Sequence, residues 1–294
     1  MAQKENEIST TKAKLLYYLF NFLIWVVLIE MFAALMDYNK NHVLVWSIVY
    51  ISIGACFWLM YYKTTIYNRF AMERMNRKHL DAVQIALFIL IGVLCEFIRH
   101  DVWNLLTNYS TTSNDKNIEQ SAGLQVADFI ADSVVSPIIE EVAFRGYTFI
   151  LALIIAIGIV KLINKQRITS ITKAVTFRLA ISIYLIGAII FALCHGVQNV
   201  SEFALYFSSG LLYCVLFIIT KRLYIPIAVH MLNNTMATMD MLYIDGNNHT
   251  SWYNVLSYLI GIIFIVIVLI FYPKIKRQFK YFMFKVKGVN KQNW

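Results

Sequence analysis

Residues Trp252–Tyr272 read WYNVLSYLIGIIFIVIVLIFY, a run without a single charged side chain. As a helix rising 1.5 Å per residue, such a run covers about 30 Å, the thickness of a bilayer's hydrocarbon core. Of the 294 residues in the chain, 59% are hydrophobic and 15% are charged, whereas soluble domains carry about 25% charged residues. The composition therefore predicts an all-α protein that crosses a membrane several times.

Seven other apolar runs accompany this one: Leu15–Met36, Val43–Tyr61, Ala82–Ile98, Leu124–Val160, Leu179–Cys194, Phe203–Thr220 and Tyr224–Leu242. Counting each run as one crossing predicts a transmembrane helical bundle of about eight spans. The run from 124 to 160 is long for one crossing, and Pro137 or Gly146 could kink or divide it.

The basic residues alternate with the spans. Lys and Arg are concentrated in the loops 63–80 and 161–178, in the pair Lys221–Arg222, in the tail from Pro273 and before residue 15. With eight spans all five segments fall on one side, which the positive-inside rule makes cytosolic, so both termini are predicted to be cytosolic. The net charge of +9 then indicates contacts with anionic lipids rather than with nucleic acid.

The four cysteines, Cys56, Cys95, Cys194 and Cys214, are scattered through apolar segments and form no CxxC. They are interpreted as small buried hydrophobic residues, and neither a disulfide framework nor a thiolate zinc site is expected. The short chain, the lack of long loops and the many Lys, Ile and Asn residues favour a bacterial plasma membrane as its location.

Charged side chains inside spans are costly and often functional. In EEVAFR, Glu141 and Arg145 are four residues apart and are predicted to form an ion pair on one helix face. Glu140 is rotated by about 100° from Glu141 and is free to point elsewhere. The isolated Glu30 and Glu96 are expected to be interfacial or paired with another helix.

A polar stripe leads to Glu140. Asp128, Asp132 and Ser136 precede it at four-residue steps, so on one helix they form a drifting line of polar groups that can admit water. Pro137 interrupts the pattern.

Two further polar groups have helical spacing: FALCH, in which Phe191 and His195 share a face, and HMLNN, in which His230 and Asn234 do. Taken singly, each could simply join helices. Together with Glu140 they offer a carboxylate, two imidazoles and a carboxamide from three spans. This set suits hydrolysis, in which a carboxylate takes a proton from water, an imidazole assists and polar donors stabilise an oxyanion.

The ordered motifs EExxxR, FxxxH and HxxxN resemble the signature of the CPBP family, which comprises type II CAAX prenyl endopeptidases and Abi bacteriocin-processing proteins. The resemblance covers residues 124–243 and implies an intramembrane glutamate protease without a cofactor or metal. Four residues are implied to act on the substrate: Glu140, His195, His230 and Asn234. Glu140 would activate water with the help of His195, while His230 and Asn234 would form the oxyanion hole. Three residues are implied to hold this site: Glu141, Arg145 and Phe191.

These observations divide the chain into three parts. Residues 1–123 are expected to hold a polar N-terminus and three spans, residues 124–243 the catalytic core, and residues 244–294 the last span and the basic tail. The expected partner is a membrane-associated peptide or protein, with a CAAX-type, leader or signalling peptide as the substrate.

Two other functions are open. Glu140, His195 and His230 could bind a catalytic zinc ion, since two histidines and a carboxylate form an established zinc site. Against this, the chain has no HExxH, and Asn234 would be an uncommon zinc ligand. The protein could also be a non-catalytic membrane factor, such as a bacteriocin-immunity protein or a scaffold.

The span assignment predicts a mismatch in depth. It places His195 near the outer end of its span and His230 only about 8 Å from the cytosolic end of another. Straight helices of full length would then keep the two imidazoles from meeting at Glu140. Convergence would require a kink at Pro137 or Pro226, a re-entrant segment at 124–137, or different loops.

Overall fold

The computed structural model of the protein describes six ranges and a few single positions; the ranges are 43–67, 79–107, 112–114, 126–152, 173–243 and 252–286. Within them, five stretches are described by the backbone alone: 66–67, 173–180, 239–243, 252–253 and 279–286. The predicted first span, Leu15–Met36, lies outside these ranges, as does most of the predicted loop 161–178.

The described elements are helical throughout, and the described ranges contain no strand. The prediction of an all-α fold is confirmed. The helices are α1 (Val43–Tyr67), α2 (Ala82–Thr107), α3 (126–152), α4 (Lys173–Leu193), α5 (Val200–Thr220), α6 (Tyr224–Tyr243) and α7 (Trp252–Val286).

Four of these helices contain a stretch that is long and apolar enough to cross a bilayer. The stretches are Val43–Thr65 in α1, all of α2, all of α5 and Asn254–Gln278 in α7. A shorter apolar stretch, Ile181–Leu193, lies in α4. The described part of the chain is therefore all-helical and has the long apolar helices typical of membrane proteins, while the count of eight spans stays a prediction.

Several helices extend beyond the apolar runs from which they were predicted. α2 ends at Thr107 instead of Ile98, α4 begins at Lys173 instead of Leu179, and α7 continues through Pro273 to Val286. Hydropathy marks where the apolar surface ends, whereas the backbone hydrogen bonds of a helix continue past that point. Helix ends are therefore poorly fixed by hydropathy alone.

The start of α2 is fixed by a capping box. Asp81 accepts a hydrogen bond from the Gln84 backbone N–H at 3.0 Å, and the Gln84 side chain accepts one from the Asp81 N–H at 3.1 Å. Each side chain satisfies a backbone donor that the first helical turn leaves without a partner. The predicted start at Ala82 is confirmed.

α3 lies in the middle of the described bundle. It packs against α1, α4, α5 and α6, while α2 packs against α5, α6 and α7, and α4 lies along α5. The largest core cluster includes Phe57 and Tyr61 of α1, Val142 and Phe149 of α3, and Phe217 of α5. The polar residues of α3 are thus surrounded by helices.

α3 is continuous from 126 to 152 but changes its winding twice. Two π-helical turns, Ala131–Val135 and Val142–Tyr147, flank the α-helical turn Ser136–Glu141. Pro137 directly follows the start of that α-helical turn, and Gly146 lies in the second π turn. Neither residue divides the helix, because the wider turns accommodate the change of register. Single π turns often occur at functional sites.

Side chains satisfy carbonyl groups of both π turns. The Asn234 Nδ2 donates to the Asp132 carbonyl at 3.0 Å, and the Thr148 hydroxyl donates to the Ala143 carbonyl at 2.7 Å. Because buried carbonyls are costly without a partner, these bonds stabilise the winding that presents Glu140 and Glu141.

Gly210 allows α4 and α5 to approach closely. A Cβ atom at this position would lie 3.1 Å from the Ala188 Cβ and 3.3 Å from the Phe191 Cδ1. A larger residue would push the end of α4 away from α5. Since His195 follows directly after α4, this contact helps to place it.

Candidate active site

A cavity of about 900 Å³ opens between α2, α3, α4, α5 and α6. All four residues implied to act on a substrate line it: Glu140, His195, His230 and Asn234. One part of its wall is apolar, with Phe144, Leu151 and Ile190 among its residues. The cavity has the size and mixed lining of a ligand site.

Glu140 projects into this cavity from α3, with 23% of its side chain exposed. Its Oε1 accepts a hydrogen bond from the Ser136 hydroxyl at 2.6 Å, one turn earlier in the polar stripe. Its Oε2 is buried and has no direct hydrogen-bond partner among the described residues. That oxygen lies 3.8 Å from the Nε2 of His195 and 3.9 Å from the Nε2 of His230.

His195 lies in the turn beyond α4 rather than on the helix. Its Nδ1 is 2.7 Å from the Phe191 carbonyl. Because a carbonyl only accepts, this contact places a proton on Nδ1. Burial lowers the pKa of His195, although the nearby charge of Glu140 opposes the shift. Neutral His195 thus directs the lone pair of Nε2 towards Glu140.

His230 approaches Glu140 from α6. Its Nδ1 lies 3.1 Å from Glu141 Oε1, so the carboxylate fixes one edge of the ring while Nε2 faces the cavity. The face of the ring stacks on Tyr213, with the ring centroids 4.7 Å apart and the planes inclined by 22°. The orientation of His230 is therefore set from two sides.

Glu141 and Arg145 form the predicted ion pair, with 2.9 Å between Oε1 and Nη1. Their side chains are 0% and 1% exposed. Arg145 also donates from Nη2 to the Gly210 carbonyl at 3.0 Å and lies over the Phe191 ring, 4.4 Å from its centroid. The pair joins α3 to α5 and supports His230.

Asn234 lies one turn beyond His230 and lines the same cavity. Its amide nitrogen already donates one hydrogen bond, to the Asp132 carbonyl. The amide group has a second N–H. The structure thus brings Glu140, His195 and His230 to one point and places Asn234 on the adjoining wall.

Two acceptor positions converge at this point, on Glu140 and His195. A carboxylate accepts only, and neutral His195 offers a lone pair at Nε2. Separations of 3.8 and 3.9 Å exceed a direct hydrogen bond but allow one water molecule to contact two of these atoms. The arrangement can therefore hold a water molecule and accept its protons.

Among the described residues, no group of three or more His, Cys, Asp or Glu side chains is arranged as a metal-binding set. The side chains of a zinc site would be the same three that converge here.

The two imidazoles meet at Glu140 despite the depths expected for them, since both Nε2 atoms lie within 4 Å of its Oε2. His195 stacks on Tyr206, with centroids 4.3 Å apart, and His230 stacks on Tyr213. These tyrosines are seven residues, or two turns, apart on one face of α5. His195 lies in the turn just beyond the end of α4.

Tyr206 and Tyr213 are functional candidates that the sequence analysis missed. Both stack on an imidazole that faces Glu140. The available signal was their seven-residue spacing in YFSSGLLY, which puts them on one helix face. In an apolar helix that pattern is also typical of ordinary packing.

Glu96 bears out its interpretation as a paired carboxylate. Its Oε2 lies 2.6 Å from Arg99 Nη2, and the Ser209 hydroxyl on α5 donates to it at 3.0 Å. His100 lies on α2 and also lines the cavity.

Residues 122–236 match the sequence model of the family described as type II CAAX prenyl endopeptidase Rce1-like. The match includes all three motifs, so the resemblance seen in the sequence is confirmed for this segment. Members of that family are CAAX endopeptidases, which are hydrolases. Comparison with curated proteins and with solved structures gave no significant match.

Proposed function

We propose that the chain is an intramembrane endopeptidase in which Glu140 activates the water that hydrolyses a peptide bond. One observation carries the proposal. The Oε2 of Glu140 has no direct hydrogen-bond partner among the described residues and lies within 4 Å of two imidazole nitrogens, at the wall of a large cavity.

The proton transfers can be followed atom by atom. Glu140 Oε2 takes one proton from water, the water oxygen bonds to the peptide carbonyl carbon, and the carbonyl electrons move onto its oxygen. The C–N bond then breaks, the carbonyl re-forms, and the proton on Glu140 passes to the leaving nitrogen. His195 accepts the second water proton at Nε2, which leaves a carboxylate product.

His230 and Asn234 are proposed to stabilise the oxyanion. Asn234 has one N–H left for this role after its bond to Asp132. His230 carries a proton on Nδ1, next to Glu141, so it can donate from Nε2 only as an imidazolium. Glu141, Arg145 and Phe191 act by holding these groups in place.

The remaining features of the proposal concern the membrane and the substrate. We place eight spans in a bacterial plasma membrane with both termini in the cytosol, and the catalytic core at residues 124–243. The substrate is a membrane-associated peptide of the CAAX, leader or signalling type. The basic loops and tail would contact anionic lipids.

The test is Glu140→Gln in the full-length purified protein. Cleavage of fluorogenic prenylated CAAX peptides and leader peptides should fall by about 10²–10⁴-fold, because the amide cannot take the proton. The unfolding midpoint should change little. Asp81→Asn, which removes a carboxylate outside the cavity, is the control and should retain full activity.

Full activity of Glu140→Gln would overturn the proposal. Loss of activity on chelation, with recovery on adding Zn²⁺, would assign the same three side chains to a zinc site instead. If Glu140→Gln and His195→Ala both preserve the cellular phenotype of the protein, its role is binding rather than hydrolysis.

A further inference from the structure

Glu202 is a buried carboxylate that the proposed mechanism does not use. It lies in the first turn of α5 and is 6% exposed. Its Oε1 accepts from the Ser113 N–H at 3.1 Å and from the Ser113 hydroxyl at 2.8 Å, and its Oε2 accepts from the Gln198 N–H at 3.0 Å. A single side chain thus joins two separate loop segments.

One of these segments carries His195. Residues 194–199 connect α4 to α5, and Asn199 caps α5 by accepting a hydrogen bond from the Glu202 N–H at 2.9 Å. The backbone and the side chain of Glu202 therefore both bind this connection. Its position at the helix N-terminus also suits a negative charge.

The other segment, residues 112–114, reaches the same imidazole through Tyr206. The Tyr206 hydroxyl is 2.9 Å from the Thr112 hydroxyl, and its ring stacks on His195 with an interplanar angle of 23°. Tyr206 follows Glu202 by four residues, so both lie on one face of α5. Thr112 and Tyr206 line the cavity.

His195 is consequently held by two aromatic rings and at one edge. Tyr206 stacks on its ring, the Phe191 ring has its centroid 4.5 Å away, and the Phe191 carbonyl holds Nδ1. The one nitrogen left free of these contacts is Nε2, which faces Glu140. The direction of Nε2 therefore depends on where Tyr206 holds the ring.

We propose that Glu202 and Tyr206 are positioning residues, which clamp the 112–114 segment and the 194–199 connection so that His195 directs Nε2 at Glu140. The effect on catalysis rests on the proposed peptidase function, whereas the effect on the imidazole does not. Neither residue lies in the EExxxR, FxxxH or HxxxN motif.

The kinetic expectation is a loss in kcat with little change in KM. Tyr206→Leu removes the stacking and should lower kcat by roughly tenfold, since catalytic groups must be held within a fraction of an ångström. Tyr206→Phe keeps the ring and should restore most of the activity. Glu202→Gln turns an amide N–H₂ towards a backbone donor and should lower kcat to a similar extent.

The deciding measurement is the NMR signal of the His195 ring, which needs no substrate. The chain has six histidines, so a ¹³C,¹⁵N-histidine-labelled sample of the full chain in detergent gives few signals. The signal that is missing from the spectrum of His195→Gln is that of His195. An imidazole stacked on an aromatic ring has upfield-shifted ring protons. Tyr206→Leu and Glu202→Gln should move this signal downfield, while Tyr206→Phe should not.

Phe207→Leu is the matched control, because it removes another stacked ring of α5, the partner of Phe203. It should leave the His195 signal in place. An unchanged signal in both Tyr206→Leu and Glu202→Gln overturns the inference. If either variant fails to fold, Ser113→Ala, which removes the hydroxyl donor to Glu202 Oε1, must still shift the signal, and an unshifted one overturns the inference.

The two proposals fail in different ways. If the variants shift the His195 signal but the unmutated protein cleaves no peptide, the positioning role is supported and the peptidase function is contradicted. If the unmutated protein cleaves peptides but the variants leave the signal in place, the peptidase function is supported and the positioning role is contradicted.

Discussion

The described residues include two glutamate–arginine pairs that are built alike. Glu141–Arg145 lies on α3 and Glu96–Arg99 lies on α2, and each arginine also donates to a backbone carbonyl of α5, at Gly210 and Leu205 respectively. Each pair therefore fastens a helix to α5. The two pairs therefore have the same structural role.

They differ in what lies beside the carboxylate. The Ser209 hydroxyl donates to both oxygens of Glu96, so each oxygen of that carboxylate already accepts a hydrogen bond. Glu141 contacts His230, and the adjacent Glu140 has an oxygen directed at two imidazoles. A buried ion pair is thus a weak indication of function by itself. The informative feature is a neighbouring carboxylate that no cation neutralises.

Replacing either arginine should cause the largest loss in the free energy of unfolding. Arg145→Met leaves Glu141 buried without a cation and should cost about 3–5 kcal/mol. Arg99→Met should cost less, about 1–3 kcal/mol, because Arg99 is 14% exposed and Glu96 keeps Ser209. Denaturant unfolding in detergent measures both. Equal losses would contradict the ranking by burial.

Removing the hydroxyl partner of each carboxylate separates stability from catalysis. Ser209→Ala should cost about 1.5–3 kcal/mol, because Glu96 is buried and loses a donor. Ser136→Ala should cost less in stability but lower kcat about tenfold, because Glu140 loses the bond that orients it. A larger kcat loss in Ser209→Ala than in Ser136→Ala would reverse the roles assigned to the two clusters.

A third pair, Asp81–Lys276, lies at the surface with 2.6 Å between its atoms and should give the smallest effect. The hydrogen bond from Lys276 lowers the pKa of Asp81. Its contribution to stability is therefore present above the unfolded value of about 3.9 and is lost as the pH falls through the lower folded value. Lys276→Gln should flatten this acid dependence in unfolding curves, and an unchanged dependence would show that the pair contributes nothing.

The sequence predicted the parts of the site that depend on local spacing. A separation of four residues was enough to pair Glu141 with Arg145 and to direct Glu140 elsewhere, because the geometry of a helix fixes both. The motifs likewise identified His195 and His230. Their meeting at Glu140 could not be predicted from hydropathy, because it depends on how the helices pack.

Other features could not be read from spacing. The two π turns of α3 depend in part on hydrogen bonds from Asn234 and Thr148, and the former comes from a helix about a hundred residues away. The stacking of Tyr206 and Tyr213 on the imidazoles likewise depends on how α5 packs. Stacked tyrosines and core tyrosines look the same in an apolar sequence.

The sequence by itself determined that this protein is an all-helical membrane protein with a Glu141–Arg145 pair and a set of groups suited to hydrolysis. Burial of apolar runs and the 3.6-residue helical repeat are local or compositional properties, so the residues specify them directly. The tertiary structure alone decided which nitrogen of each histidine faces Glu140 and which aromatic rings hold it there. Such contacts join distant segments, and their geometry exists only once the helices have packed.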